Sequence, residues 1–593
     1  MQLIGTQLKV REKRYVMVLK KECQFCVRGM EAEGFFFAPI HFMNGVHSSW
    51  ANFFATKGNF KLDSEQDFIN ALKVLQKIPK QLEQLQKLCR KGISRGLTFH
   101  EASMSRVLKQ YESLNIDKVE DSKFYIPFKQ ASVDIQERAK SAIQNDVLPA
   151  FQQLKIFVEN VYMKMTRKWP GLSYVPNGEQ KYQRYLEYHT TIEGITPEEV
   201  HNTGLEEVER LQTLVVQTGE QALGFVNATF KEIMSSVKND AKQSFDNEDE
   251  IMKYFQDIID NIAPKLKLVM DDTLLNNDTY NLQLKKLPAG SGGLAYYIRP
   301  TVDGRRKGAF YINTNNIQNI QKFESNSLTL HEGNPGHHLQ LSFNNYSPNP
   351  EFLRQPVSHL DQEPGIPLNY NSHIEGWGLY AEYLGHEMGM FNDPEQAIGF
   401  YSWNLLRACR LVVDTGLHVF GWSRQRAIDY LLENTAMSLS AIEQQIDRWV
   451  HHTSLPSFAL HYHAWCIFRY ITWPAQATSY KIGEMKIQEI RKRRKRELGS
   501  DFDLGAFHRH VLTCIGPIEM LEECILEEEQ LPFPKVTKPP TKYTTTLTPL
   551  STTEQSTNGT NDLLSSTTSS KSFKCVSPGA ILMLSLLFAL IAK

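Results

Sequence analysis

The stretch His331-Glu332-Gly333-Asn334-Pro335-Gly336-His337-His338 decides how this chain is read. Three histidines and a carboxylate so close together are the composition of a metal site. Neutral imidazoles bind Zn2+, and a carboxylate beside the first of them can take a proton from water that the ion polarises. The spacing departs from the H-E-x-x-H of helical zinc peptidases, because Pro335 stands where the second histidine belongs. At roughly 100° per residue, His337 falls about 240° and His338 about 340° around a regular helix from His331, so regular geometry favours His338. Pro335 has no N–H for the carbonyl of residue 331, however, and Pro-Gly invites a break or bulge that would swing His337 to the ion instead. Spacing alone leaves both histidines open.

Two later runs belong with this one: Glu375-Gly376-Trp377-Gly378-Leu379-Tyr380-Ala381-Glu382 and Gln476-Ala477-Thr478-Ser479-Tyr480-Lys481-Ile482-Gly483. Together with H-E-x-x-P-G-H at His331 to His337, they resemble the hallmarks of domain-of-unknown-function family 885 (DUF885), over residues 40 to 527. That family is similar to helical zinc peptidases of the Glu-zincin type. The resemblance implies a mainly α fold, a large helical zinc-peptidase-like domain, with Zn2+ held by His331, His337 and Glu375. It makes His337 the second ligand and leaves His338 as an alternative ligand or supporting group. Family members usually carry further sequence ahead of the matched part, so the chain is expected to begin downstream of the true start.

The residues around these motifs add roles. Asn371 to Met388 reads as a helix with Glu375, Leu379, Glu382 and His386 on one side. Glu382 is expected to accept from a ligand imidazole and fix its tautomer. Asn404 to Phe420 is an apolar helix that keeps one ionic stripe, Arg407, Arg410, Asp414 and His418. Buried charge is costly unless paired, and such stripes serve active sites and structural networks alike. His418 is a catalytic candidate and Arg410 a substrate contact. Tyr480 can donate to an oxyanion, with Lys481 beside it as a second substrate contact.

Ahead of the metal stretch the chain reads as a helical array. Ser64 to Asp67 and Thr196 to Glu199 are helix starts with capping residues, the second with a proline in its first turn. Pro79 is expected to break or kink the first of these helices. After Pro288 the pattern changes. Leu294 to Arg299 and Ala309 to Asn313 read as a small β-hairpin, an edge strand able to hold a substrate backbone next to the metal helix.

Composition sets limits. Of 593 residues 41% are hydrophobic and 22% charged, which suits a large globular core. A net charge of −1 provides no field to recruit nucleic acid. The basic run Arg491 to Arg496 lacks aromatic interleaving and reads as a solvated helix face. Cys23 and Cys26 form a C-x-x-C, read as incidental or as a local disulfide. Three regions are expected: a helical metallohydrolase domain over 1–531, a Ser/Thr/Pro-rich stalk over 532–575, and an apolar tail over 576–593. The tail matches a glycolipid-anchor signal, with a short single-span anchor as the alternative. With sequons at Asn227, Asn277, Asn345 and Asn558, that predicts a membrane-held extracellular glycoprotein at the outer face of the plasma membrane, although no entry signal stands at the N-terminus. The functional expectation is a zinc-dependent hydrolase, a peptidase with Glu332 as general base and a peptide or small amide as substrate. The alternatives are a metal-dependent hydrolase of a non-peptide amide or ester, and a non-catalytic surface protein that keeps the fold.

Overall fold

Each helix that carries the site starts or crosses where its sequence allows. The computed structural model describes residues 8–532, except for 32–39, 42–45, 56–59, 61, 113–115, 117, 277–278, 288–293, 302–303, 305, 315–316, 355–369 and 436–470. These belong to one compact unit, residues 1–537; residues 533–593, which hold most of the expected stalk and the expected tail, lie outside the described residues.

Helix α1 (Glu65–Ser94) opens with a capping box between Ser64 and Asp67, and α2 (Pro197–Ala222) with one between Thr196 and Glu199. Each box satisfies backbone N–H groups that have no partner inside the helix. Pro79 does not break α1: the helix runs through it, and the buried stripe Leu72, Leu75, Ile78, Leu82 and Leu85 continues across it. Packing of that face outweighs the one hydrogen bond the proline removes.

The expected hairpin is a three-stranded sheet. Strands β1 (Gln283–Lys286), β2 (Ala295–Ile298) and β3 (Ala309–Ile312) run in the order β1-β3-β2. β2 pairs with β3 antiparallel, as a hairpin must, and β1 adds to the other side of β3 in parallel. β1 is half-buried without clean alternation, so its sequence carried no strand signal. β2 is an edge strand.

Five helices build the site: α3 (Lys322–Glu332), α4 (His337–Tyr346), α5 (Asn371–Glu387), α6 (Pro394–His418) and α7 (Ser479–Leu498). α3 is wedged between two hydrophobic clusters. Leu328 belongs to one, with Val208, Leu211, Phe310, Val412 and Val413; Leu330 belongs to the other, with Leu339, Trp377, Leu384 and Ile487. Close crossings are made by glycine. A β-carbon on Gly204 of α2 would lie 2.7 Å from the Val412 side chain of α6. One on Gly376 of α5 would lie 2.6 Å from the Gly483 backbone of α7, and one on Gly483 only 1.9 Å from the Ser372 carbonyl. That second crossing brings the Glu375 motif and the Tyr480 motif into register.

The basic run is not a uniformly solvated face. Arg491 donates to Glu387, Arg493 to Glu522, and Arg494 to Glu529, so half of the run ties α7 to its neighbours. A disulfide joins Cys514 and Cys524, whereas Cys23 and Cys26 are free thiols.

Candidate metal centre

The helix that starts at Lys322 stops at Glu332, and a new one starts at His337. Between them the Asn334–Pro335 peptide is cis. Gly336 is fixed by contact: a β-carbon there would lie 2.0 Å from the His331 carbonyl and 2.3 Å from that of Leu330. The break is held from outside. Trp377 Nε1 donates to the Pro335 carbonyl at 2.9 Å, and Asn334 Nδ2 to the Thr279 carbonyl at 2.8 Å.

The break decides between the two histidines. It turns His337 to His331, with ring centroids 4.7 Å apart and planes at 81°. His338 faces the other way and shares a 2.9 Å hydrogen bond between its Nδ1 and the Tyr297 hydroxyl of β2. Regular-helix geometry is therefore corrected by a full break in the helix rather than a bulge.

His331, His337 and Glu375 each bring a donor atom to one point, all within 4.8 Å of one another. Donors about 2.1 Å from a tetrahedral zinc ion stand about 3.4 Å from each other. Glu375 Oε2 lies 3.4 Å from His337 Nε2 and 3.7 Å from His331 Nε2. Two imidazole nitrogens and one carboxylate oxygen are a borderline donor set suited to zinc. The side chains of His331 and His337 are 4% and 10% exposed and that of Glu375 is 20% exposed, so the cluster opens to solvent on the Glu375 side.

The supporting groups orient this set. His331 Nδ1 donates to Glu382 Oε1 at 2.8 Å, which leaves Nε2 for the cluster. Glu382 also accepts from the Ser327 hydroxyl and faces Arg407 Nη2 at 3.5 Å. The His331 ring fills the place where Gly378 would carry a side chain: a β-carbon there would lie 2.8 Å from His331 Cε1. Within Glu375-Gly376-Trp377-Gly378, then, one residue faces the cluster, one makes the α7 crossing, one clamps the helix break, and one clears room for the imidazole. His337 Nδ1 is buried with no partner among the described residues.

Electrostatics favour a positive charge between the donors. Burial acts to lower the His331 pKa, but the hydrogen bonds to Glu375 and Glu382 outweigh it and raise it to about 9. Burial acts to raise the pKa of Glu375, but the two imidazoles hold its carboxyl well below the usual range. Glu382 is lowered against its burial by Arg407 and His331. A cation at the meeting point, whether a proton on His331 or a metal ion, satisfies all three donors.

The other expected site residues divide. Glu332 ends α3, half-buried, and its charge adds to the rise at His331. The Tyr480 ring lies nearly parallel to that of His331, 6.4 Å away, and the Arg410 guanidinium sits over Tyr480 at 5.1 Å. Two assignments are corrected. Lys481 is buried, donates to Asn404 Oδ1 at 2.9 Å and pairs with Glu207 (2.9 Å) and Glu484 (2.8 Å), so its charge is engaged inside the fold rather than offered to a substrate. It follows Tyr480 in sequence but points about 100° away around α7. His418 is buried too, accepting from the Leu172 N–H at 3.1 Å and stacking on Tyr182. It stands eleven residues beyond Arg407, about 16 Å further along α6, and belongs to the framework. Tyr297 and Ser327 escaped the sequence reading, since neither lies in a run whose spacing points to the site.

A mainly helical chain with a small sheet, bearing a buried His, His, Glu cluster backed by a second glutamate, is the class that fold and site define. The chain belongs to the DUF885 family, described as "Bacterial protein of unknown function", whose model matches residues 5–464 and 466–523. The match begins ahead of residue 40, where the motifs first suggested it. Among solved structures the chain resembles "the putative lipoprotein from Colwellia psychrerythraea", at 24% identity and a TM-score of 0.68, covering 83% of this chain and 81% of that one. It also resembles "a putative lipoprotein of unknown function from Shewanella oneidensis", at 18% identity and a TM-score of 0.56, covering 81% and 82%. At these identities the likeness establishes the fold. Comparison with curated proteins finds no match.

These findings overturn the expected localisation. The family is described as bacterial and both solved neighbours are described as a "putative lipoprotein", a setting that does not support a glycolipid-anchored glycoprotein at the outer face of the plasma membrane. Among the described residues no helix is long and apolar enough to cross a membrane. The Asn345 sequon fails on structure as well: its side chain is buried and donates to the Pro300 carbonyl at 3.1 Å. The tail that suggested the anchor, together with Asn277 and Asn558, lies outside the described residues.

Proposed function

We propose that this chain is a zinc-dependent hydrolase, and specifically a peptidase of the helical Glu-zincin type. The observation that carries the proposal is the convergence of His331, His337 and Glu375 within 4.8 Å, with Glu332 next to the first of them. Zinc held by His331, His337 and Glu375 would supply a Lewis acid and would bring the pKa of water there toward the neutral range. Glu332 takes the proton of the attacking water and passes it to the leaving amine. Glu382 keeps the His331 tautomer that presents Nε2 to the ion. Tyr480 donates to the carbonyl oxygen as negative charge gathers on it, and Arg410 over its ring favours that charge.

The sheet favours a peptide over a compact ester. β2 pairs on one side only among the described residues and touches α3, so its free edge offers backbone N–H and C=O groups to an extended chain. The test is turnover of a broad panel of quenched fluorescent peptides by protein supplied with zinc, before and after chelation. Peptide cleavage that is lost on chelation and restored by zinc is expected. Turnover of aryl esters with no peptide cleaved would replace the peptidase by the non-peptide hydrolase, and zinc-independent turnover would defeat both.

A further inference from the structure

Three arginines, Arg299, Arg306 and Arg354, gather beyond the Tyr297 end of β2, and among the described residues no carboxylate pairs with any of them. Their guanidinium groups make only long bonds to backbone carbonyls. Arg299 Nη1 donates to Arg354 O at 3.4 Å, Arg306 Nη2 to Arg299 O at 3.4 Å, and Arg354 Nη1 to Asn345 O at 3.3 Å. The Nε atoms of Arg306 and Arg354 are buried without an acceptor. Elsewhere such groups find glutamates: Arg11 and Arg14 share Glu528, and Arg494 meets Glu529. Burial holds the Arg299 pKa below its ordinary value, and the like charge of Arg306 adds to that. Like charges packed together, with no carboxylate among the described residues to offset them, favour an anionic ligand that does so.

The register places this cluster relative to the metal centre. Tyr297 pairs with Phe310 and Ile298 with Ala309, and the Thr301 N–H continues the ladder to Arg306 O. Tyr297, Arg299, Arg306 and Gly308 therefore share one face of the hairpin. Tyr297 is hydrogen-bonded to His338, the neighbour of His337, and Gly308 sits close over both: a β-carbon there would lie 2.2 Å from the Tyr297 hydroxyl and 2.8 Å from His338 Nδ1. Arg299 follows on that face about 7 Å along the strand. α4 runs beside it, since Asn345, about 10 Å beyond His338 on the helix, bonds to Pro300. The arginines thus lie about two to three extended residues beyond His338.

We propose that Arg299, Arg306 and Arg354 form an anion subsite that takes a carboxylate of the peptide substrate, on the β2 side of the candidate metal centre. The carboxylate comes from the chain's C-terminus or from an acidic side chain. The inference rests on the peptidase assignment for its substrate, but binding tests it without turnover. Carboxylate oxygens replace the long carbonyl contacts with short charge-assisted bonds, which guanidinium groups make in pairs.

The experiment measures binding to the Glu332→Gln protein by calorimetry, in zinc and again in chelator. A neutral apolar tetrapeptide is offered as the free acid, as the C-terminal amide, and as the amide with glutamate in last place. Either the free acid or the glutamate amide should bind at least about tenfold more tightly than the neutral amide. Which of them does so names the source of the carboxylate. The preference should persist in chelator, where a carboxylate on the ion cannot produce it. Arg306→Gln and Arg299→Gln should bring the peptides to within about twofold of each other, and Arg306→Lys should keep part of the preference. Equal binding of all three peptides to the arginine-intact protein, absence of binding, or a preference that vanishes in chelator or survives Arg299→Gln/Arg306→Gln overturns the subsite. None of these results bears on whether protein with Glu332 intact cleaves peptides. Conversely, a preference seen in a protein that cleaves nothing leaves the subsite standing and the peptidase assignment failed.

Discussion

Glu332, His337 and Glu382 make separable claims. Glu332→Gln should keep its zinc and lose turnover by several orders of magnitude, because the amide cannot take a proton. Zinc content and kcat measured on one preparation check this, and a wild-type rate would remove Glu332 from the mechanism. Glu382→Gln should weaken zinc binding by about tenfold to a hundredfold, since the carboxylate that orients His331 is gone while the ligands remain. The pH dependence has a definite sign. His331 holds a proton below about pH 9 in the metal-free protein, and an ion must displace it. Apparent zinc affinity should therefore rise with pH through neutrality, by up to about tenfold per unit for that proton, and level off only above about pH 9. Proton release on zinc binding, followed by calorimetry in buffers of different ionisation enthalpy, reads this directly. The start of the candidate cluster was legible in sequence because its chemistry is local, whereas Glu375, 44 residues after His331, entered through the family resemblance. His331 and Glu332 are adjacent, and H-E-x-x-P-G-H carries its own break signal in Pro335 and Gly336. The choice of His337 over His338 was not, because it depends on how far the chain turns across the break.

At the scale of elements, the crossing of α5 and α7 and the break between α3 and α4 are what hold the donors together. Gly483→Ala would drive a methyl into the Ser372 carbonyl, and Gly378→Ala one into the His331 ring. Gly378→Ala should leave a folded protein with weakened zinc binding, because a side chain moves more readily than two packed backbones. Gly483→Ala should destabilise the whole unit by about 1 to 3 kcal/mol, read as a lowered denaturation midpoint. Lys481 provides the contrast. Lys481→Met leaves Glu484 buried without its cation, while Glu207 keeps Arg210, and should cost about 3 to 5 kcal/mol while zinc content is unchanged. Unchanged stability with impaired substrate binding would return Lys481 to the substrate. The helices themselves were readable from capping boxes and apolar stripes. What adjacency could not show was direction: Tyr480 and Lys481 sit in one motif yet face different neighbours. Likewise Arg407 and His418 share a stripe but lie at different depths along it. β1 was missed because a parallel partner arriving from before the hairpin leaves no turn signal.

For the molecule as a whole, two hydrophobic clusters meet on α3, and the His331, His337 and Glu375 cluster stands at that seam. Zinc should therefore stabilise the entire unit rather than a loop, with a melting temperature that rises with zinc concentration as mass action requires. The composition gave a large globular unit, and the helical pattern gave its class. The tail misled because an apolar run after a Thr-rich stretch reads as an anchor whatever the fold before it. Metal content of the purified protein, measured against single substitutions, tests the central claim most directly. About one zinc per chain is predicted for the wild-type, Glu332→Gln and His338→Ala proteins, and loss of it for His331→Ala, His337→Ala and Glu375→Ala. A wild-type protein that binds no metal, or a His337→Ala protein that keeps its zinc while His338→Ala loses it, would contradict the site.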